Sequence, residues 1–124
     1  MATVLVVDDD ADALEALVAI LKSGGHRTVK AESGTAALDI LDSDADVDLM
    51  LTDIVMPGLN GFNLARMARL RRRDIKILYM TGFHEQSAAV RDTGERLGKL
   101  LSKPLRAADL RKEVDAALHL RVPI

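Results

Sequence analysis

The chain has 124 residues, 48% of them apolar, a length and composition typical of one packed domain. Its 17 basic and 19 acidic residues leave a formal charge of −2, which argues against direct nucleic-acid binding through phosphates. The absence of cysteine excludes disulfides and thiolate metal sites. No apolar run approaches the roughly 20 residues of a membrane helix and no signal peptide is visible. We therefore expect a single cytoplasmic domain spanning residues 1–124, without membrane contact.

The first part of the chain alternates a strand pattern with a helix pattern. Residues 3–7 form a compact apolar run that predicts a buried strand. An amphipathic helix follows and is ended by Ser23-Gly24-Gly25; its apolar stripe consists of Leu14, Leu17, Val18 and Leu21. Residues 27–31 predict a weaker strand, and Ser33 is a plausible N-cap of a helix that runs to about Leu41.

The same alternation continues to the end of the chain. Strands are predicted at residues 47–52, 75–80 and 100–102. Between and after them lie a helix closed by four arginines, a weak helix at residues 84–91 and a final amphipathic helix. The arginines are Arg69, Arg71, Arg72 and Arg73, which we interpret as a solvated basic end that suits the helix dipole. Five strands alternating with five helices predict an α/β fold with a doubly wound parallel sheet, covered on both faces.

Polar side chains fall where the predicted strands end. Asp8 and Asp9 follow the first strand, Asp53 the third, Thr81 the fourth and Lys103 the fifth. The carboxyl ends of parallel strands share one edge of a sheet, which is where open α/β folds bind ligands. We therefore expect these five residues to converge.

Such a cluster of carboxylates requires positive charge nearby. Like charges a few ångströms apart raise each other's pKa or need a cation. Carboxylate oxygens without clustered histidine or cysteine favour Mg²⁺ over a transition metal. Lys103 together with a divalent ion can hold a phosphoryl group, and the Thr81 hydroxyl can donate to another phosphoryl oxygen. The site is therefore predicted to perform phosphate chemistry.

Four motifs carry a resemblance to a known family. They are Val4-Leu5-Val6-Val7-Asp8-Asp9-Asp10, the run from Leu51 to Gly61 around Asp53, Met80-Thr81-Gly82 and Ser102-Lys103-Pro104. In this order and at these separations, they closely resemble the receiver domains of response regulators in two-component signalling. The resemblance covers essentially the whole chain and implies the flavodoxin-like (βα)5 receiver fold with strand order 2-1-3-4-5.

The resemblance also implies a role for each motif. Asp53 would be the phosphoacceptor, Asp9 a direct Mg²⁺ ligand and Asp8 an acid that orients the metal or its water. The backbone carbonyl of Val55 would be a further metal ligand, and Thr81 and Lys103 would bind phosphoryl oxygens. The Lys103-Pro104 peptide bond would be cis.

The implied function is that of a phosphorylation-switched signalling module rather than an enzyme. The donor would be a phosphohistidine on a sensor histidine kinase or a histidine phosphotransfer protein. Phosphorylation would then change binding to a downstream protein target that the sequence does not identify. A stand-alone receiver, the receiver module of a hybrid histidine kinase and a phosphate sink all remain open, as does the oligomeric state.

Two features depart from the family pattern. The position three residues before the phosphate-binding lysine, usually Tyr or Phe, is Leu100, and the only tyrosine, Tyr79, lies within a strand. The usual threonine–aromatic coupling is therefore in doubt. Val55 and Phe83, at the two positions that tune dephosphorylation, offer no amide or carboxylate to position water. This predicts slow self-hydrolysis of the phosphorylated form.

Other readings of the same residues are less well supported. An aspartyl-phosphate phosphatase would need a second acid where Val55 stands, and a flavodoxin-like cofactor binder would suffer repulsion between its phosphate and the first-strand acids. A receiver that is never phosphorylated fits poorly with a complete set of acids, threonine and lysine. We interpret Asp10 mainly as a helix-start acid and Gly58 and Gly61 as turn residues. The three scattered histidines, His26, His84 and His119, suggest no metal site.

Overall fold

A computed structural model describes residues 2–82 and 97–119. These residues form five strands and four helices. The strands are β1 (Thr3–Val7), β2 (Arg27–Ala31), β3 (Leu49–Asp53), β4 (Lys76–Thr81) and β5 (Gly98–Ser102), and the helices are α1 (Ala11–Ser23), α2 (Gly34–Leu41), α3 (Gly61–Arg71) and α4 (Ala107–Leu118). The helix predicted for residues 84–91 lies outside the described residues. No helix within the described ranges is long and apolar enough to cross a bilayer.

The five strands form one parallel sheet in the order β2-β1-β3-β4-β5, which confirms the predicted topology. The register pairs Val7 with Thr52, Asp53 with Met80, and Thr81 with Ser102. As a result, the carboxyl ends of β1, β3, β4 and β5 lie side by side at one edge. The acids that follow β1 are brought to the end of β3 in this way.

Alternating side chains of the strands build two separate cores, one on each face of the sheet. On one face, Leu5 and Val7 of β1 pack with residues of α2 and α3. On the other face, Val4 and Val6 pack with residues of α1 and α4. Burial on both faces explains why β1, β3 and β4 are largely continuous apolar runs, whereas the edge strands β2 and β5 contain exposed lysines and arginine.

Three helices begin at a side-chain cap. Asp10 accepts hydrogen bonds from the amides of Asp12 and Ala13, which confirms its main role as a helix-start residue. Ser33 caps α2 as predicted. Asn60 caps α3 by accepting from the Asn63 amide at 2.9 Å. These caps satisfy amides that a helix start leaves unpaired.

Strand boundaries differ from the prediction where pairing with a neighbouring strand outweighs the intrinsic preference of the residues for strand. β3 begins at Leu49 rather than Val47 and includes Asp53. β5 begins at Gly98, two residues earlier than predicted, because Gly98 pairs with Ile77 of β4. Glycine and lysine have little intrinsic preference for strands, so only the neighbouring strand assigns these residues to the sheet.

The prediction that all four arginines at the end of α3 are solvated is wrong for Arg72. Its guanidinium donates to the carbonyls of Leu41, Ser43 and Ala45 at 3.0, 2.8 and 2.8 Å. Arg71 forms an ion pair with Asp42 at 2.7 Å. The end of α3 is thus tied to the segment that leads from α2 into β3.

Replacing Arg72 by Met should lower the free energy of unfolding by about 1–2 kcal/mol, because three carbonyls lose a charged donor. Chemical denaturation measures the change. Arg73→Met is the matched control, since Arg73 is exposed, and should change stability little. Equal losses in the two variants would contradict the structural role of Arg72.

Candidate functional site

Three carboxylates meet at the carboxyl edge of the sheet. One oxygen from each of Asp8, Asp9 and Asp53 lies within 4.8 Å of the other two. Asp8 and Asp53 are buried, with 0% and 5% of their surfaces exposed, whereas Asp9 is exposed. The predicted convergence of the first-strand acids with Asp53 is therefore present in the structure.

Lys103 supplies the positive charge that holds the two buried acids together. Its ammonium group lies 3.2 Å from Asp8 Oδ2 and 3.1 Å from Asp53 Oδ2. Burial of the amine lowers the Lys103 pKa, but the hydrogen bond and charge of Asp53, followed by those of Asp8, outweigh this effect and raise it. The amine therefore stays protonated, and its charge offsets part of the repulsion between the carboxylates.

Backbone amides fix the remaining carboxylate oxygens. Ile54 N donates to Asp53 Oδ1 at 2.9 Å, and Asp10 N donates to Asp8 Oδ1 at 3.0 Å. The lysine and the amides therefore approach different oxygens of each buried acid. Both side chains are held in place by groups on the strands and the loops that follow them.

Thr81 and Lys103 are joined through the ends of β4 and β5. The Lys103 amide donates to the Thr81 carbonyl at 2.8 Å, and Thr81 lies one residue beyond the register partner of Asp53. Thr81 is fully buried. The Lys103-Pro104 peptide bond is cis, as predicted. The structure thus brings all four predicted strand ends to one place.

The residues that depart from the family pattern occupy distinct environments. Val55, in the loop after β3, is 49% exposed. Leu100 is half-buried, pairs in register with Tyr79 and packs against the core on the α3 side of the sheet. The buried Tyr79 ring packs against Phe62 at 4.9 Å, and its hydroxyl accepts from the Leu97 amide. Phe83 lies outside the described residues.

Two glycines in the segment that follows Asp53 have different functions. Gly58 has a φ of +83°, so it does serve turn geometry as predicted. Gly61 does not have a positive φ; a side chain there would collide with the backbone carbonyl oxygen of Asp53. The Gly61 amide also donates to the Ile54 carbonyl at 2.8 Å. Gly61 therefore permits α3 to begin directly against the backbone of Asp53, a role that the sequence pattern did not indicate.

The cluster fits a hard divalent cation. Oxygens on opposite sides of bound Mg²⁺ or Ca²⁺ are about 4–5 Å apart. The three carboxylate oxygens lie within 4.8 Å of one another, so a single ion can reach all of them. All three ligand atoms of the group are carboxylate oxygens, and no histidine among the described residues belongs to it. His26 instead lies 3.1 Å from Asp115, and His119 is the exposed C-cap of α4. His84 is not among the described residues.

Removing the Lys103 ammonium group should destabilise the metal-free protein. In the presence of EDTA, we expect Lys103→Met to lower the free energy of unfolding by about 1–3 kcal/mol, because two buried carboxylates lose their counter-charge. Denaturant titration gives the value. Lys99→Met, which removes an exposed lysine from the same strand, is the control. A Lys103 variant as stable as this control would show that the ammonium group does not balance the cluster.

Comparison with known proteins places the chain in a family. Residues 4–115 match the model of the response regulator receiver domain. The chain is 35% identical to the response regulator receiver protein CpdR of Brucella abortus over 95% of this chain and 98% of that protein. It spans only 23% of FleR of Pseudomonas aeruginosa and 13% of the sensor kinase CckA of Brucella abortus, which are longer relatives.

Solved structures show the same fold. A response regulator receiver domain from Clostridium thermocellum superposes with a TM-score of 0.85 at 27% identity, over 95% of this chain and 94% of that one. The response regulator TrrA from Thermotoga maritima, solved in complex with Mg²⁺-BeF, gives 0.77 at 28% identity, over 94% and 99%. Sequence, topology and site agree: the chain belongs to the response regulator receiver family.

Proposed function

We propose that the chain accepts a phosphoryl group on Asp53 from a phosphohistidine donor and that the phosphorylated form has altered affinity for a partner protein. The proposal rests on one observation: the buried Asp53 carboxylate lies 3.1 Å from the Lys103 ammonium group and within 4.8 Å of the acids that follow β1. Membership of the receiver family supports it, because receiver domains are signalling modules that take phosphoryl groups from histidine kinases.

Asp53 would act as the nucleophile. A carboxylate oxygen forms a bond to phosphorus as the bond between phosphorus and the donor imidazole nitrogen breaks, and the imidazole leaves. Burial of Asp53 limits the access of water to the acyl phosphate. The Ile54 amide, bonded to Asp53 Oδ1, holds the carboxylate in place for the transfer.

Lys103 and Thr81 would bind the transferred group. The Lys103 ammonium group, which pairs with Asp53 in the structure, would shift to a phosphoryl oxygen and neutralise part of its charge. The Thr81 hydroxyl, at the adjacent strand end, would donate to another phosphoryl oxygen. The Lys103 amide is bonded to the Thr81 carbonyl, so the two groups would respond together.

The residues that would hold Mg²⁺ are Asp8, Asp9, Asp53 and the backbone carbonyl of Val55. The fit of three carboxylate oxygens supports this set, as does the Mg²⁺-BeF complex of TrrA. When bound, the ion would neutralise negative charge on the transferring phosphoryl group. Asp8 is also held by Lys103, so it would position the ion or its water, while the exposed Asp9 would be a direct ligand.

The switch in this chain would use a route other than a rotating aromatic residue before Lys103. Leu100 lies at that position, packed beside Tyr79 on the α3 side of the sheet. Thr81 is two residues after Tyr79 and therefore on the same face of β4. A shift of Thr81 would reach the Tyr79–Phe62 contact and the start of α3. The domain limits 1–124, the cytoplasmic location and the identity of the target stay predictions.

Asp53→Asn should abolish phosphorylation, because an amide is a far weaker nucleophile than a carboxylate. Incubation with a radiolabelled phosphorylated histidine kinase in Mg²⁺ measures transfer to the chain. Asp44→Asn, which changes an exposed acid, should be phosphorylated at the wild-type rate. Chelation with EDTA should suppress transfer to the wild type. Normal label uptake by the Asp53 variant would refute the assignment.

Profiling several phosphorylated kinases in the same assay would separate a relay from a phosphate sink. A relay passes label onward to a histidine phosphotransfer protein, whereas a sink only drains it from the kinase. The Asp53→Asn protein is the blank for both measurements.

Val55→Asn should shorten the lifetime of the phosphorylated form several-fold. Val55 is half exposed two residues after Asp53, where an amide could hydrogen-bond and position an attacking water. Decay of the labelled protein after removal of the donor gives the lifetime. Val55→Ala removes bulk without adding a polar group and serves as the control. If the Asn and Ala variants decayed at the same rate, the shorter lifetime would come from easier entry of water to the acyl phosphate. It would not come from a water positioned by the asparagine amide.

A further inference from the structure

The outer face of α3 combines an exposed leucine with arginines that form no ion pair with the described residues. Leu70 is 86% exposed and, with Val55 at 49%, is one of two exposed large hydrophobic residues in the described part of the chain. Residues three and four apart share one side of a helix, so Arg66, Met67 and Leu70 are neighbours there. Arg69 directly precedes Leu70 in the chain, and the exposed Arg73 follows the end of the helix. We call these five residues the α3 surface.

The arginines of the α3 surface carry charge that the described residues do not neutralise. Arg66 donates to the neutral amide oxygen of Asn63. The Nε of Arg69 is buried without a hydrogen-bond partner. No ion pair involves Arg66, Arg69 or Arg73 among residues 2–82 and 97–119. Arg71 and Arg72, in contrast, are engaged with Asp42 and backbone carbonyls.

The α3 surface is held rigidly by the opposite side of the helix. Phe62, Leu64, Ala65 and Ala68 are buried in the core beneath the sheet. The contacts of Arg71 and Arg72 fix the end of the helix to the segment after α2. A helix face held in this way loses little conformational freedom on binding, apart from the arginine side chains themselves.

We propose that the α3 surface is a docking site for an acidic segment of a partner protein, in which carboxylates flank an apolar side chain that covers Leu70. Carboxylates are the complementary partners of guanidinium groups and bind them through paired hydrogen bonds. An exposed leucine at the centre of an arginine rim matches the arrangement of protein interfaces, in which an apolar contact is surrounded by polar groups.

A nucleic acid fits this surface less well. Phosphate backbones are bound by basic residues and offer no apolar group to cover Leu70. The chain as a whole carries a formal charge of −2, which does not favour approach of a polyanion. The proposal is independent of phosphorylation, because none of its residues belongs to the acidic site, and it can be tested on the unphosphorylated protein.

The test uses an acidic amphipathic peptide of leucine and glutamate, about 18 residues or five helical turns long. Its binding to the ¹⁵N-labelled full chain is followed by NMR. We expect the amides of α3 to shift. Leu70→Ser and Arg66→Glu should each weaken binding by about tenfold, as loss of a central interface contact does. Both residues are exposed, so thermal unfolding should show that the variants remain folded.

Three comparisons decide the outcome. Lys112→Glu makes the same charge reversal at an exposed position of α4 and should leave peptide affinity within about twofold, as for surface charges outside an interface. A scrambled peptide of the same composition and a short DNA duplex should bind more weakly than the amphipathic peptide. The proposal is overturned if the amphipathic peptide does not bind or if the amide shifts map to another surface. It is also overturned if the α3 variants bind the peptide with wild-type affinity, or if the scrambled peptide or the DNA binds as tightly as the amphipathic peptide.

Discussion

The ion pair between one lysine and two buried carboxylates is the interaction on which the site depends. Asp8 and Asp53 lie at the ends of adjacent strands and are almost inaccessible to water, so their charges would repel strongly without a cation. The Lys103 ammonium group lies within 3.2 Å of both. Its side chain is 30% exposed, so an anion that enters from solvent can reach the ammonium group. The same contact therefore stabilises the resting domain and, in the proposed function, would present a cation to the phosphoryl group.

The parallel sheet provides the geometry for this interaction. Strands β1, β3, β4 and β5 each contribute their last residue or the residues just after it, and all five strands run in the same direction. Residues 95 positions apart, Asp8 and Lys103, thus come into contact. Two separate apolar cores hold the strands between helices, so the polar edge is supported by rigid elements and not by the loops alone.

Helix α3 connects Asp53 to the outer surface. Its first residue, Gly61, lies against the Asp53 carbonyl, and Phe62 packs on the Tyr79 ring. Its last turn is fixed by Arg71 and Arg72. Leu100, in place of the usual aromatic residue, packs into this same side of the sheet. The arrangement gives α3 a direct physical link to Asp53.

Local sequence patterns were enough to predict the strand–helix alternation, the parallel sheet and the five residues that converge at its edge. Those features depend on local apolar periodicity and on the rule that parallel strands end on one side. Only the tertiary structure decided the start of β5, which is set by pairing with β4, and the three-carbonyl contact of Arg72. It also decided the function of Gly61 and the exposure of Leu70. These depend on which atoms of distant segments approach each other, and residue spacing along the chain does not encode that information.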